Sequence, residues 1–343
     1  DNTTGKFNVA LSRALINNTT GGSNISIGYD SMQCNLVGCT NVAIGDSTLF
    51  KNTVSDNVAI GSAAMYGNTT GTRNVAVGRS ALTANTTATD QVAIGHQSLD
   101  SATTGSENTG VGMRTLATLT EGATNVAVGT YGLCKTTTGS CNVAVGYQAG
   151  ICNTTGIRNT YIGYYAGYNA TTPQGNTFVG RMAGCNAGTG NSNHAFGISA
   201  GIDAVKNITG TDTHQLVLGN NSLTNAFMKV SFTVTSDLRD KTEIESVPHG
   251  LDFVNKLNPI KYRFKESRKN PIGTGNKKYG FSAQELLELE GDNNVIIDNH
   301  DPENLKLTEL HLVPVLVNAI QELKTQNDNL ITRIETLESK WVN

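Results

Sequence analysis

Ser236 and Lys241 are the two residues of this 343-residue chain whose types and spacing can do covalent chemistry together. A serine hydroxyl attacks a carbonyl once a base has taken its proton, and a lysine becomes that base when desolvation or a nearby cation lowers its pKa. Five positions separate the pair, a gap that one turn or strand bend closes. Serine and lysine fall this close by chance in many proteins, so the weight rests on their setting, Thr235-Ser236-Asp237-Leu238-Arg239-Asp240-Lys241. Within it, Asp237 and Asp240 favour the charged lysine and Arg239 opposes it. The six cysteines, at 34, 39, 134, 141, 152 and 185, form no CxxC pair, and the six histidines are scattered, so neither a metal nor a cofactor is expected. No phosphate-binding glycine loop and no carboxylate pair suited to glycoside hydrolysis precedes Ser236.

The same run divides two unlike halves. Residues 1–235 carry 21 charged side chains, 32 of the 37 glycines and one of the six prolines, whereas residues 236–343 carry 32 charges in 108 positions and the other five prolines. Net charge is +1 before Ser236 and −4 from it onward, so neither half has the basic field that nucleic acid or an anionic membrane requires. No apolar run approaches the roughly 20 residues needed to cross a bilayer, so no membrane insertion is expected, and the polar start Asp1-Asn2-Thr3-Thr4 is not a signal peptide.

Residues 1–219 repeat themselves. Motifs of the type Asn41-Val-Ala-Ile-Gly45 begin at 24, 41, 57, 74, 91, 108, 125, 142, 159, 176 and 193, seventeen residues apart with one interval of sixteen; degenerate copies start at Asn8 and Gln215. A fixed short period means a solenoid. Each repeat reads as a short strand, a glycine turn, a second apolar stretch such as Ser80-Ala81-Leu82, and a polar turn such as Asn85-Thr86-Thr87. The second and fourth motif residues are β-branched in most copies and share a face, which is expected to be the inside. The Asn-x-Thr triplets at Asn18, Asn68, Asn85 and Asn153 recur at one phase, which favours turn-capping ladders over glycan acceptors. Residues 220–235 read as a β neck, in which Met228–Thr235 alternates as a strand and delivers Thr235 and Ser236 in extended form.

Residues 236–312 read as a small α/β domain: a helix over 251–257 stopped before Pro259, a hairpin of 260–265 with 277–281 around a loop holding Gly273-Thr-Gly275, a helix over 283–289, and a strand at 295–297. Residues 313–343 read as a coiled coil. Val313, Ile320, Asn327, Ile334 and Trp341 form one seam column and Leu316, Leu323, Leu330 and Leu337 the other, with Asn327 as a register and oligomer device. The fold class is therefore mainly β: a parallel β-roll, then a small α/β domain, then a coiled coil.

Two resemblances sharpen this. The repeat resembles the Asn-Ser-Val-Ala-Ile-Gly repeat of trimeric autotransporter heads, which implies a left-handed parallel β-roll in each of three chains. The run Ser236-Asp-x-Arg-x-Lys241, followed by Ile244, Leu251 to Leu257, Pro259, Tyr262-Arg-Phe264 and Gly280-Phe-Ser-Ala-Gln-Glu285, resembles the intramolecular chaperone of phage tailspikes and fibres, the peptidase S74 domain. That resemblance implies a homotrimer in which the chaperone drives folding of the shaft and then releases itself. Ser236 would attack the carbonyl of Thr235, Lys241 would take the proton, and residues 236–343 would be freed in a single turnover. The chain is then expected to be a virion fibre that binds a host-surface glycan or protein without catalysis, through loops at the turns or the region 198–225. A trimeric cell-surface adhesin carrying a similar chaperone is the alternative.

Overall fold

The computed structural model describes residues 3–203, 206–223, 226–229, 236–265, 271–292 and 294–341. Two units make up the chain, Asp1–Asn221 and Ser222–Asn343.

The first unit is a parallel β-solenoid. Thirteen three-residue strands, from β1 (Val9–Leu11) to β13 (Leu216–Leu218), form one sheet in sequence order. Every rung pairs in register with the next. Even across the sixteen-residue interval, Val42, Ala43 and Ile44 lie against Val58, Ala59 and Ile60. The missing residue is taken from the polar turn: the Asn52 amide reaches back to the carbonyl of Val54, two residues on, where Asn35 and Asn68 bond three residues on.

The inside of the roll is the opposite of the expected one. The third motif residue is the buried one, with Ala43, Ala59, Ala76, Ala93, Ala127 and Ala144 sealed, while Ile44, Ile60 and Ile94 on the other face are 36–39% exposed. The reason is width. The facing wall supplies Leu49, Met65, Leu82, Leu99, Leu116 and Leu133, all fully buried, and only alanine fits opposite a leucine in so thin a core. The two columns therefore form a largely apolar sheet face with no cover among the described residues of the solenoid. Nor is the second apolar stretch a strand. Its residues alternate into left-handed backbone, as at Ser80 and Leu82 (φ 55° each), yet remain bonded rung to rung, Leu82 N–H to the Ser98 carbonyl at 3.0 Å.

Where the small side of this core becomes large, the large side vanishes. Tyr161 and Phe178 take the alanine position and are fully buried, and in the leucine column Leu133 gives way to Gly150, Gly167 and Gly184. A Cβ on Gly150 or Gly167 would enter the Tyr161 ring, and one on Gly184 would lie 2.5 Å from Phe178. The glycine that ends each strand answers a different need: Gly45 has φ 134°, and a Cβ there would stand 2.8 Å from the carbonyl carbon of Gly61 on the next rung.

Buried asparagines hold the turns. The first motif residue accepts the backbone N–H of its successor one rung on, from Asn41 to Asn24 (3.0 Å) through Asn193 to Asn176 (2.8 Å), with Gln91 serving in the same column. A second column runs Asn18, Asn35, Asn52, Asn68, Asn85, each amide donating to the preceding carbonyl oxygen, as Asn85 does to Asn68 at 2.7 Å. The next residues in register are Ala102 after Asn85 and Ala170 after Asn153, and Asn85 Oδ1 and Asn153 Oδ1 are left without a partner among the described residues. The amides of Asn18, Asn68, Asn85 and Asn153 are sealed inside the folded roll, where no glycan can be carried.

The second unit is built around a small core of Phe253, Leu286, Ile296, Ile297, Leu312 and Val315. Helix α1 (Leu251–Lys256) leads to the antiparallel hairpin β14 (Ile260–Lys265) and β15 (Gly273–Gly280), so Gly273–Gly275 belong to a strand and not to the expected loop. Helix α2 (Ala283–Glu290) starts on Ser282, whose hydroxyl accepts the N–H of Glu285, the role of the Ser-Ala-Gln-Glu segment. Strand β16 (Ile297–Asp298) pairs with β17 (Lys306–Leu307), two residues later than the predicted strand begins. Helix α3 (Leu312–Trp341) has 30 residues. Its Leu312, Val315 and Ala319 pack on the core, while both predicted seam columns face outward.

Candidate active site

A short 3-10 turn, Leu238–Asp240, closes the gap between the two candidate residues. Asp237 caps it by accepting the N–H of Arg239 at 2.9 Å, and the Lys241 N–H returns to the Leu238 carbonyl at 3.2 Å. The five-residue spacing thereby becomes a contact: Lys241 Nζ donates to Ser236 Oγ at 2.8 Å. Both side chains are exposed in the single chain.

One of the two acidic neighbours, Asp237, is paired. Arg239 grips Asp237 through Nε (3.1 Å to each oxygen) and a terminal nitrogen (2.6 Å to Oδ2). The side-chain bond from Arg239, then its backbone N–H, hold the Asp237 carboxyl below the usual carboxylate range. Arg239 and Asp237 thus largely cancel as charges acting on Lys241, and the cation expected to oppose the lysine charge is spent on its neighbour. Thr235, and with it the carbonyl of the expected scissile bond, lies outside the described residues, as does most of the expected strand 228–235.

Two residues far along the chain tie down the backbone at the start of α1, downstream of the turn. Asn318 donates to the His249 carbonyl at 2.9 Å, and Glu322 accepts the Leu251 N–H at 2.7 Å, capping α1 from α3. The connection spans 69 to 71 positions, so no sequence spacing announced it. Among the described residues no cluster of His, Cys, Asp or Glu can hold a metal, and no helix is long and apolar enough to cross a membrane. The cysteines are free thiols, with burial pushing Cys134 and Cys185 up.

No curated protein and no solved structure matches the chain. The family model described as chaperone of endosialidase, Peptidase_S74, matches residues 236–296, a span that opens on Ser236 and takes in the turn, α1, the hairpin and α2. Residues 236–296 are thus similar to the peptidase S74 chaperone and lie C-terminal to a parallel β-solenoid, an arrangement that fits a tail fibre or tailspike with its own chaperone.

Proposed function

We propose that the chain is a homotrimeric virion fibre that recognises a host surface through its solenoid and is assembled by a chaperone that cuts itself away. The contact of Lys241 with Ser236 at the first residue of the chaperone carries the cleavage reading. Lysine takes the hydroxyl proton, Oγ bonds to the Thr235 carbonyl carbon, and the Thr235–Ser236 C–N bond breaks as the nitrogen is protonated. Water then hydrolyses the ester. Desolvation is what turns a lysine into a base, and two exposed side chains obtain it only when a neighbouring surface covers them. Trimer assembly supplies that cover, which makes cleavage a consequence of assembly.

The trimer reading rests on two uncovered apolar surfaces, one in each unit. The β-branched columns run along the solenoid sheet, and the seam of α3 leaves Leu316, Leu323, Leu330 and Leu337 exposed, none of them part of the domain core. Faces this large and continuous mark interfaces. A coiled coil forms quickly from local contacts and holds three chains in register, so that slow non-local pairing can proceed from that end.

Incubation of wild type, Ser236→Ala and Lys241→Ala, followed by a denaturing gel, tests the cleavage. Wild type yields a fragment of roughly 11 kDa, the share of 108 residues in a 36.2 kDa chain of 343, and neither variant does. Cleavage that survived in Ser236→Ala would remove the serine from the mechanism. Sedimentation gives three chain masses for both variants and a trimer of the shortened chain for wild type after release; a monomer at micromolar concentration would sink the fibre reading.

A further inference from the structure

Five of the ten tyrosines fall between 147 and 168. Tyr161 is the buried one. The other four gather at the surface. Tyr147 and Tyr164 occupy the same position on successive rungs with rings stacked at 5.5 Å and 15°, Tyr164 meets Tyr165 at 4.1 Å, and Tyr168 meets Tyr165 edge-on at 4.9 Å. Their hydroxyls are engaged too. The Gln148 amide donates to the Tyr147 oxygen at 3.0 Å, and a hydrogen bond with Tyr164, ahead of burial, pushes the Tyr165 phenol up to about 12.

The scaffold does not require these rings. The column that holds Tyr147 and Tyr164 carries Asp46, Ser62, Arg79, His96 and Thr130 on other rungs, with the same strand and the same glycine before it. After stacking on each other, Tyr147 and Tyr164 are still 40% and 45% exposed. They lie past Gly146 (φ 133°), where the chain leaves the strand, and so stand beyond the β-branched strand face.

We propose that Tyr147, Tyr164, Tyr165 and Tyr168 form a platform that binds the hexopyranose units of a surface polysaccharide. An aromatic face takes up the C–H-rich face of a sugar ring, while phenol hydroxyls and the Gln148 amide, both donors and acceptors, meet its hydroxyl groups. Tyr147 and Tyr164 stand one rung apart with centroids at 5.5 Å, so the stack offers its outer faces and ring edges to a sugar chain. Nucleobases also stack on such rings, but they arrive on a phosphate backbone that a chain of net charge −3 does not attract. The platform names the ligand and place for the attachment function proposed above, and rests on that reading.

The test uses the full chain, titrated by calorimetry with hexasaccharides of glucose, N-acetylglucosamine and galacturonic acid. Its variant is Tyr147→Thr with Tyr164→Ser, residues that the same column carries at 130 and 62. At least one sugar binds wild type, and the double variant weakens it tenfold or more with melting temperature and trimer mass unchanged. Binding of none of the three, or binding that the variant leaves intact, overturns the platform. A variant that falls to monomer also overturns it, because the rings are then a subunit contact. The fibre reading fails on a different result, a wild type that is itself monomeric, whatever the sugars do.

Discussion

The solenoid and the chaperone unit satisfy their polar groups and bury their apolar ones by opposite routes. In the solenoid most needs are met within the rung or by the neighbouring one: an asparagine accepts the next asparagine's N–H, an alanine sits across from a leucine, a glycine passes close to a glycine. In the chaperone unit, contacts reach 69 to 71 positions to tie α3 to the segment behind the active turn, and the core is a single small cluster. A one-dimensional stack tolerates a local fault, because its stability is close to a sum over rungs and their interfaces. A small core with a long helix depends on few residues and, in the proposed trimer, on its partners. The division suits the proposed function, in which the solenoid lasts and the chaperone acts once.

The largest expected effect is on the side that depends on few residues. Leu330→Asp places a charge in the exposed seam of α3, clear of the domain core, and is expected to abolish the trimer at micromolar concentration and cleavage with it. Ultracentrifugation and the gel assay read both. A variant that stayed trimeric would shift assembly from the coil to the solenoid face.

Gly167→Ala is the matching fault in the stack. Its Cβ collides with the Tyr161 ring at a backbone of φ 61°, which should cost roughly 3 kcal/mol or more at that rung. Hydrogen exchange should show the loss confined to neighbouring rungs, with those near Val42 and Val58 unchanged. Adding Tyr161→Ala, the residue most rungs carry there, should restore part of it. Protection lost along the whole solenoid would mean that the rungs unfold as one.

The smallest expected effect is a gain. The Tyr161 hydroxyl is buried with no partner among the described residues, and burial alone pushes its phenol up. Tyr161→Phe removes that orphan while keeping the ring, and should stabilise the rung by about 1 kcal/mol. Slower exchange at Gly150 and Gly167 would register it.

Much of the architecture is decided by local sequence. The period places all thirteen strands and predicts their register, because a strand of three residues between glycine and asparagine has one way to stack on its copy. The heptads of α3 pick out two columns that the helix leaves exposed, because an apolar repeat of seven residues stays on one helix face. Ser236 and Lys241 are legible because a turn of three residues can bring them together without help from elsewhere. Which face of the strand lies inside is a tertiary matter. A period of two separates Val42 and Ile44 from Ala43 but does not say which set is core, since all three are apolar, and the width left by Leu49 and its column settles it. The exchange of Tyr161 for the side chains missing at Gly150 and Gly167, the capture of Arg239 by Asp237, and the hold of Glu322 on Leu251 were decided the same way. Each depends on the volume or charge of a group that only the folded chain brings near.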